Sequence, residues 1–121
     1  MDASWADRPR LLRLLEIGLA IVFILAGTVK LAGHPFMVAL FAQLGFGQWL
    51  RYVTGLVELT GGLLLIGGRQ QYLAALALAV IMVGATHASI AVFDRSPIPP
   101  FLTLLALLAI AWERRPSNEN R

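Results

Sequence analysis

The feature that most constrains this chain is a series of long apolar stretches that carry almost no charge. The clearest is residues 72–93, where 22 consecutive residues include no Asp, Glu, Lys or Arg. An α-helix of about 20 apolar residues crosses the hydrocarbon core of a bilayer. The whole chain is 58% hydrophobic and 14% charged, whereas a soluble domain is about 45–50% apolar and about 25% charged. The sequence therefore predicts an integral membrane protein and not a soluble globular domain.

Four apolar stretches predict an all-α fold, in which a single membrane domain (residues 1–121) forms a four-helix bundle. The predicted spans cover residues 11–32, 49–66, 72–93 and 97–112. The last is the shortest, at about 16 residues, and needs a locally thinner bilayer or little tilt. Between the first two spans, residues 35–44 are too few to cross a bilayer, and Pro35 suits the first turn of a helix. This segment is therefore predicted to be a short interfacial or re-entrant helix.

The composition argues against several classes of function. The chain has no cysteine, which excludes disulfides, CxxC redox motifs and thiolate metal sites. It has only two histidines, His34 and His87, so we predict no metal site and no covalently bound cofactor. The ten basic residues form no run or stripe, which argues against a nucleic-acid partner. No convincing A-x-A cleavage site follows the apolar run at residues 14–29, so we expect a retained helix and not a cleaved signal peptide.

The placement of Lys and Arg predicts how the chain lies in the membrane. With four spans, both termini lie on one side of the bilayer. That side carries seven basic residues: Arg8, Arg10, Arg13, Arg69, Arg114, Arg115 and Arg121. The other side carries three: Lys30, Arg51 and Arg95. Since cytoplasmic segments are enriched in Lys and Arg, we expect a multi-pass protein of a bacterial inner membrane with both termini in the cytoplasm.

Five ionisable residues in or beside the predicted spans lie at a comparable depth, in the half of the bilayer away from the termini. The first span contributes Lys30, the second Arg51 and Glu58, and the third His87, with Asp94 close behind. Spacings of three and four residues place these groups on one stripe of each helix, together with small residues. Because such groups are costly in a membrane and usually face the interior of a bundle, the three stripes are predicted to face one another.

These stripes predict a polar pocket at one end of the bundle, covered by the short helix. A site that is polar at the top and apolar below suits a lipophilic molecule with a polar head group, such as a quinone. The candidate catalytic residues are Glu58 and His87. The candidate ligand-binding residues are Lys30, Arg51, Gln43, Gln48, Thr54, Trp49 and Asp94.

The same residues also have structural explanations. Glu58 and a nearby cation could form an ion pair that only locks two helices together. His87 could be an interhelical hydrogen-bonding group, and Arg51 could extend to lipid headgroups. Glu16 is predicted to lie at the membrane interface and to pair with Arg13, three residues before it.

Three segments of the chain resemble a known family. They are FILAGTVKLAGHP (residues 23–35), LGFGQWLRYVTGLVELTGGLLLIGG (residues 44–68) and VGATHA (residues 83–88), and together they make the chain similar to the DoxX-like family. The matching positions include Gly27, Lys30, Glu58 and His87. The resemblance implies a four-helix membrane bundle, and the namesake of the family is similar to a small subunit of a thiosulfate:quinone oxidoreductase. With no cysteine or soluble redox domain here, such chemistry would need a partner subunit.

Three functions are compatible with this sequence. The first is a subunit of a membrane redox complex that binds a quinone or another lipophilic small molecule. The second is a stand-alone isomerase or hydrolase for a lipophilic substrate, with Glu58 as the general base and His87 or Lys30 as the acid. The third is a structural or assembly factor without a ligand. The expected partners are the lipid bilayer, a lipophilic small molecule, a redox subunit and a second copy of the chain.

Overall fold

The computed structural model describes residues 8–116, and most of this range is helical. Within this range the chain forms five helices and no strand. They are α1 (Arg8–Ala32), α2 (Pro35–Leu44), α3 (Trp49–Gly67), α4 (Gln71–Ala91) and α5 (Ile98–Arg114). The all-α class and the short helix between the first two long ones are confirmed.

Three of these helices, α1, α3 and α4, are long and apolar enough to cross a membrane. Helix α5 has 17 residues, so its crossing stays a prediction. The surface of the bundle is apolar as well: Leu25, Val80 and Ile90, for example, are each more than 60% exposed. Side chains of this kind on the outside of a folded chain are accommodated by lipid and not by water.

Local signals at the ends of α1 and α2 agree with the predicted boundaries. Gly33 ends α1 with a φ of 76°, a left-handed conformation that costs glycine little. The imidazole Nδ1 of His34 accepts a hydrogen bond from the Phe36 amide (3.1 Å), which caps α2 beside Pro35.

Helix α4 ends earlier than the sequence predicted, at Ala91 and not at Phe93. The amides of Val92 and Phe93 both donate to the Ala88 carbonyl, which closes the last turn. Asp94 follows with a φ of 50°. The chain therefore turns before Asp94, so this residue lies in the connection between α4 and α5.

Glycines set the closeness of the helix packing around α3. A Cβ built on Gly27 of α1 would lie 2.6 Å from the Gly55 carbonyl oxygen, and one on Gly62 would lie 2.9 Å from the Ala20 carbonyl oxygen. These backbones therefore touch, as small residues allow in membrane helix pairs. On another face of α3, Gly61 accommodates Leu78 of α4. Helix α1 packs most extensively on α3, and α4 on α5, so the fold consists of two antiparallel helix pairs joined through α3 and α4.

The buried apolar core lies mostly toward one end of the bundle. This end, here called the terminal end, contains the start of α1, the end of α3, the start of α4 and the end of α5. The opposite end, here called the α2 end, contains α2 and the connection between α4 and α5. The core consists of Ala20, Phe23, Leu65, Ala74, Ala75, Leu78, Ala79, Leu107, Ile110 and Ala111. In α4 and α5, every core residue lies in the half nearer the terminal end.

Candidate functional site

Lys30 and Glu58 form a buried ion pair between α1 and α3. Lys30 Nζ lies 2.7 Å from Glu58 Oε1, and the two side chains are 13% and 3% exposed. The glycine contacts explain why they meet. Gly27 and Gly55 each lie three residues before one member of the pair, and their backbone contact brings the Lys30 and Glu58 turns alongside each other. Lysine is long enough to close the remaining gap.

Arg51 and Gln48 form a second layer above this pair, at the α2 end. Arg51 is 5% exposed, and its Nη1 donates a hydrogen bond to the Lys30 carbonyl in the last turn of α1. Its Nε donates to Gln48 Oε1 at 2.7 Å. Gln48 Nε2 in turn donates to the Val38 carbonyl of α2 at 3.0 Å. Arg51 is therefore a second donor, beside the Gly33 amide, to a carbonyl at a helix C-terminus, where a cation is also favourable, and Gln48 ties α2 to α3.

The Glu58 carboxylate keeps unused hydrogen-bonding capacity. Its Oε1 is buried and lies 2.7 Å from Lys30 Nζ, the one polar partner of Glu58 among the described residues, whereas the two oxygens of a carboxylate can accept several hydrogen bonds. An ammonium group has three N–H donors. Among the described residues, Glu58 is the one acceptor that Lys30 Nζ contacts. Charged groups that lack hydrogen-bond partners are costly within the apolar part of a membrane. The arrangement can therefore accept a further polar group from a molecule that approaches Lys30.

The structure does not bring His87 to this site. The prediction that the His87 face of α4 is directed toward Glu58 is therefore wrong. Helix α4 packs through Ala75 and Leu78, and the helical period places Gly84, His87 and Ala91 on the opposite, exposed face. Because both faces of a membrane helix are apolar, the pattern of the sequence does not show which face meets the other helices.

Three other predicted ligand-binding residues also lie on the surface. Gln43 and Asp94 are exposed, and Trp49 is 59% exposed. Thr54 lies closer to the pair: it is half-buried and four residues before Glu58, on the same face of α3. Toward the α2 end, α4 carries Thr86 and Ser89 on its packed side, both half-buried, and their hydroxyls donate to carbonyls of their own helix.

A second buried carboxylate, Glu16, lies at the terminal end. Its pairing with Arg13 is confirmed at 3.4 Å, but Glu16 is 0% exposed and its main partner is Arg114 of α5. Arg114 donates two hydrogen bonds to it, from Nε to Oε2 and from Nη2 to Oε1, both at 2.8 Å. Sequence spacing gave no indication of this bidentate pair, since 98 residues separate its members. Arg13 also donates to the Leu65 and Ile66 carbonyls at the end of α3.

The comparison with protein families agrees with this architecture. The sequence model described as the DoxX-like family matches residues 14–112. The chain belongs to the DoxX-like family. A similar protein is the "Uncharacterized protein YdgD" of Bacillus subtilis (strain 168), which is 26% identical over 99 residues, covering 78% of this chain and 87% of that protein. No solved structure matches the chain. The predicted resemblance is thus confirmed, together with the assignment to a membrane protein.

Proposed function

We propose that this DoxX-like protein binds a lipophilic molecule with a polar head group, of the quinone class, as a subunit of a membrane redox complex. The observation that carries the proposal is the desolvated Lys30–Glu58 pair, in which Lys30 Nζ has Glu58 as its one acceptor among the described residues. A quinone carbonyl is an acceptor, and it matches the remaining N–H donors of Lys30. In the predicted orientation, this site opens toward the outer leaflet.

The surroundings of the pair support a ligand with a long apolar portion. Glu58 lies on the same face of α3 as Leu65, seven residues further on and fully buried in the core. Thr54 lies one turn in the other direction. Along this face the environment therefore changes from apolar to polar toward the α2 end, as in pockets that orient an amphipathic molecule.

The stand-alone enzyme has less support, because His87 lies on the opposite face of α4 from the packed side chains. Within the described part of the chain, Lys30 is the ionisable side chain that pairs with Glu58 and could act as its acid partner. The purely structural role is favoured by one observation: the Glu58 side chain is just 3% exposed. It predicts that an apolar pair, Lys30→Met with Glu58→Leu, supports the protein's cellular role as well as the ion pair does.

The test is to identify what the protein retains from its native membrane. The full chain is extracted in polymer-bounded nanodiscs, and bound lipophiles are measured by organic extraction and mass spectrometry. We expect a quinone-class molecule with the wild type, and about a tenfold loss with Glu58→Gln or Lys30→Met, since a hydrogen bond to a charged group contributes about 1.5–3 kcal/mol. Thr60→Ala, an exposed position on the same helix, is the matched control. A wild-type protein without enriched lipophile contradicts the proposal.

A further inference from the structure

We propose that the α1/α3 and α4/α5 pairs separate at the α2 end, and that the gap is a lateral portal from the bilayer to the Lys30–Glu58 pair. The inference rests on the proposed function for the identity of the molecule that passes. The movement itself is inferred from the difference in packing between the two ends of the bundle.

The terminal end has the properties of a hinge. It holds most of the apolar core, including Leu78 and Leu107, which are both 0% exposed. It also holds the Glu16–Arg114 pair, which joins the first and last described helices through two hydrogen bonds of 2.8 Å. Two parallel N–H···O bonds to a buried carboxylate fix both the distance and the orientation of the groups they join.

The α2 end has the properties of an opening. Beyond Ala79, no described residue of α4 is buried, and before Leu107 no described residue of α5 is buried. Within these ranges the two helices leave the dense core and contribute only half-buried or exposed side chains. Regions with few buried apolar contacts open at lower free energy than the core does.

A weak contact joins the two helix pairs at this end. Arg95, in the connection between α4 and α5, lies with its Cζ 5.4 Å from the centre of the Phe36 ring of α2. Gln48 ties α2 to α3, so α2 belongs to the α1/α3 side of the gap. Arg95 is exposed and Phe36 is 47% exposed, so this cation–π contact is much weaker than the bidentate bonding of Arg114 to the buried Glu16 at the other end. The difference predicts which end opens.

The sides of the gap suit a lipophilic molecule. Thr86 and Ser89 are the hydroxyl residues that α4 turns toward the packed side beyond Leu78. Both hydroxyls donate to carbonyls of their own helix, at 2.8 and 2.9 Å, and keep lone pairs as weak acceptors. Thr54 is half-buried on α3. A path with hydroxyls but without charges admits an apolar chain and leaves the polar head group to the ion pair.

The opening is measured by distances between spin labels, which the absence of native cysteine makes straightforward. One doubly labelled full-length protein carries Val53→Cys and Ile90→Cys at the α2 end. The matched protein carries Leu63→Cys and Leu73→Cys at the terminal end, and all four positions are exposed. In lipid nanodiscs we expect a broad distribution for the first pair and a narrow one for the second.

Arg95→Ala should then raise the open fraction roughly two- to fivefold, the range that corresponds to loss of an exposed cation–π contact. The terminal pair should not change. Equally narrow distributions at both ends, unaffected by Arg95→Ala, overturn the opening whatever the protein binds.

The route is tested by closing the gap. Phe36→Cys with Arg95→Cys, joined by a short bismaleimide, ties α2 to the connection between α4 and α5. We expect loss of decylubiquinone uptake into the cross-linked protein, and uptake by the same variant without cross-linker. Equal uptake in both forms overturns the portal. Absence of uptake in both forms, and in the wild type, counts against the proposed function, and the spin-label distances then decide the opening alone.

Discussion

Glu16 and Glu58 are both buried carboxylates of the α1/α3 pair, yet they have different partners. Glu16 is 0% exposed and bound by Arg114 through two hydrogen bonds, with Arg13 as a third contact. Among the described residues Glu58 has a single polar partner, Lys30 Nζ at 2.7 Å. Arginine presents a planar fork that matches a carboxylate, whereas lysine is a mobile point charge. The comparison teaches that the hydrogen-bonding groups at Glu16 are fully used, whereas the Lys30–Glu58 pair can still bind another polar group.

The two ends are alike in another respect, which makes this difference informative. Arg51 donates to the last turn of α1, and Arg13 donates to the last turn of α3. Each guanidinium also lies close to a glycine with positive φ, Gly33 or Gly68. The helix ends are therefore capped in the same way, so capping does not explain why only one carboxylate is left incompletely bonded.

The largest expected effect is at the saturated carboxylate. Glu16→Ala removes both hydrogen bonds from Arg114, whose side chain is 32% exposed, and a hydrogen bond to a charged group contributes about 1.5–3 kcal/mol. Unfolding in lipid nanodiscs, measured for Glu16→Ala and Glu58→Ala side by side, checks this. A larger loss of stability for Glu58→Ala would reverse the roles assigned to the two sites.

The glycine contact between α1 and α3 should come next. Gly27→Ala places a methyl group 2.6 Å from the Gly55 carbonyl oxygen, so the helices must move apart, at a cost of about 1–3 kcal/mol. Gly18→Ala on the same helix meets nothing within 4 Å and should be neutral or stabilising by about 1 kcal/mol. If both variants have the same free energy of unfolding, the Gly27–Gly55 contact does not determine the spacing of α1 and α3.

The arginine caps should have smaller and similar effects. Arg51→Met and Arg13→Met each remove hydrogen bonds to helix-end carbonyls, which predicts a loss of about 1–3 kcal/mol for each. The same unfolding assay compares the two. A difference between the two variants well above this range would show that one end depends on its arginine for more than capping. The two arginines would then not have equivalent roles.

The smallest effect is expected on the exposed face of α4. His87→Ala should change stability by less than about 0.5 kcal/mol, as surface substitutions usually do, and should leave the amount of bound lipophile at the wild-type level. Glu58→Gln is the comparison in the same mass-spectrometric measurement. If His87→Ala loses as much bound lipophile as Glu58→Gln does, His87 takes part in ligand binding after all.

Part of the candidate site was predictable from local spacing. Lys30 and Glu58 each stand three residues after a glycine, so the helix period alone placed charge and close packing on one stripe. The same reasoning was wrong for His87, because α4 also has small residues on its exposed face. Arg114 could not be assigned at all, since its contact with Glu16 depends on where the last helix packs against the first.

By itself, the sequence determined the membrane class, the helices and their approximate ends. These follow from properties of neighbouring residues: long apolar runs, and glycine or proline at the turns. Only the tertiary structure decided the rotation of α4, the burial of Glu16 and the concentration of the core at the terminal end. The physical reason is that lipid and protein interior are both apolar, so hydrophobicity marks a helix as membrane-embedded without showing which side packs.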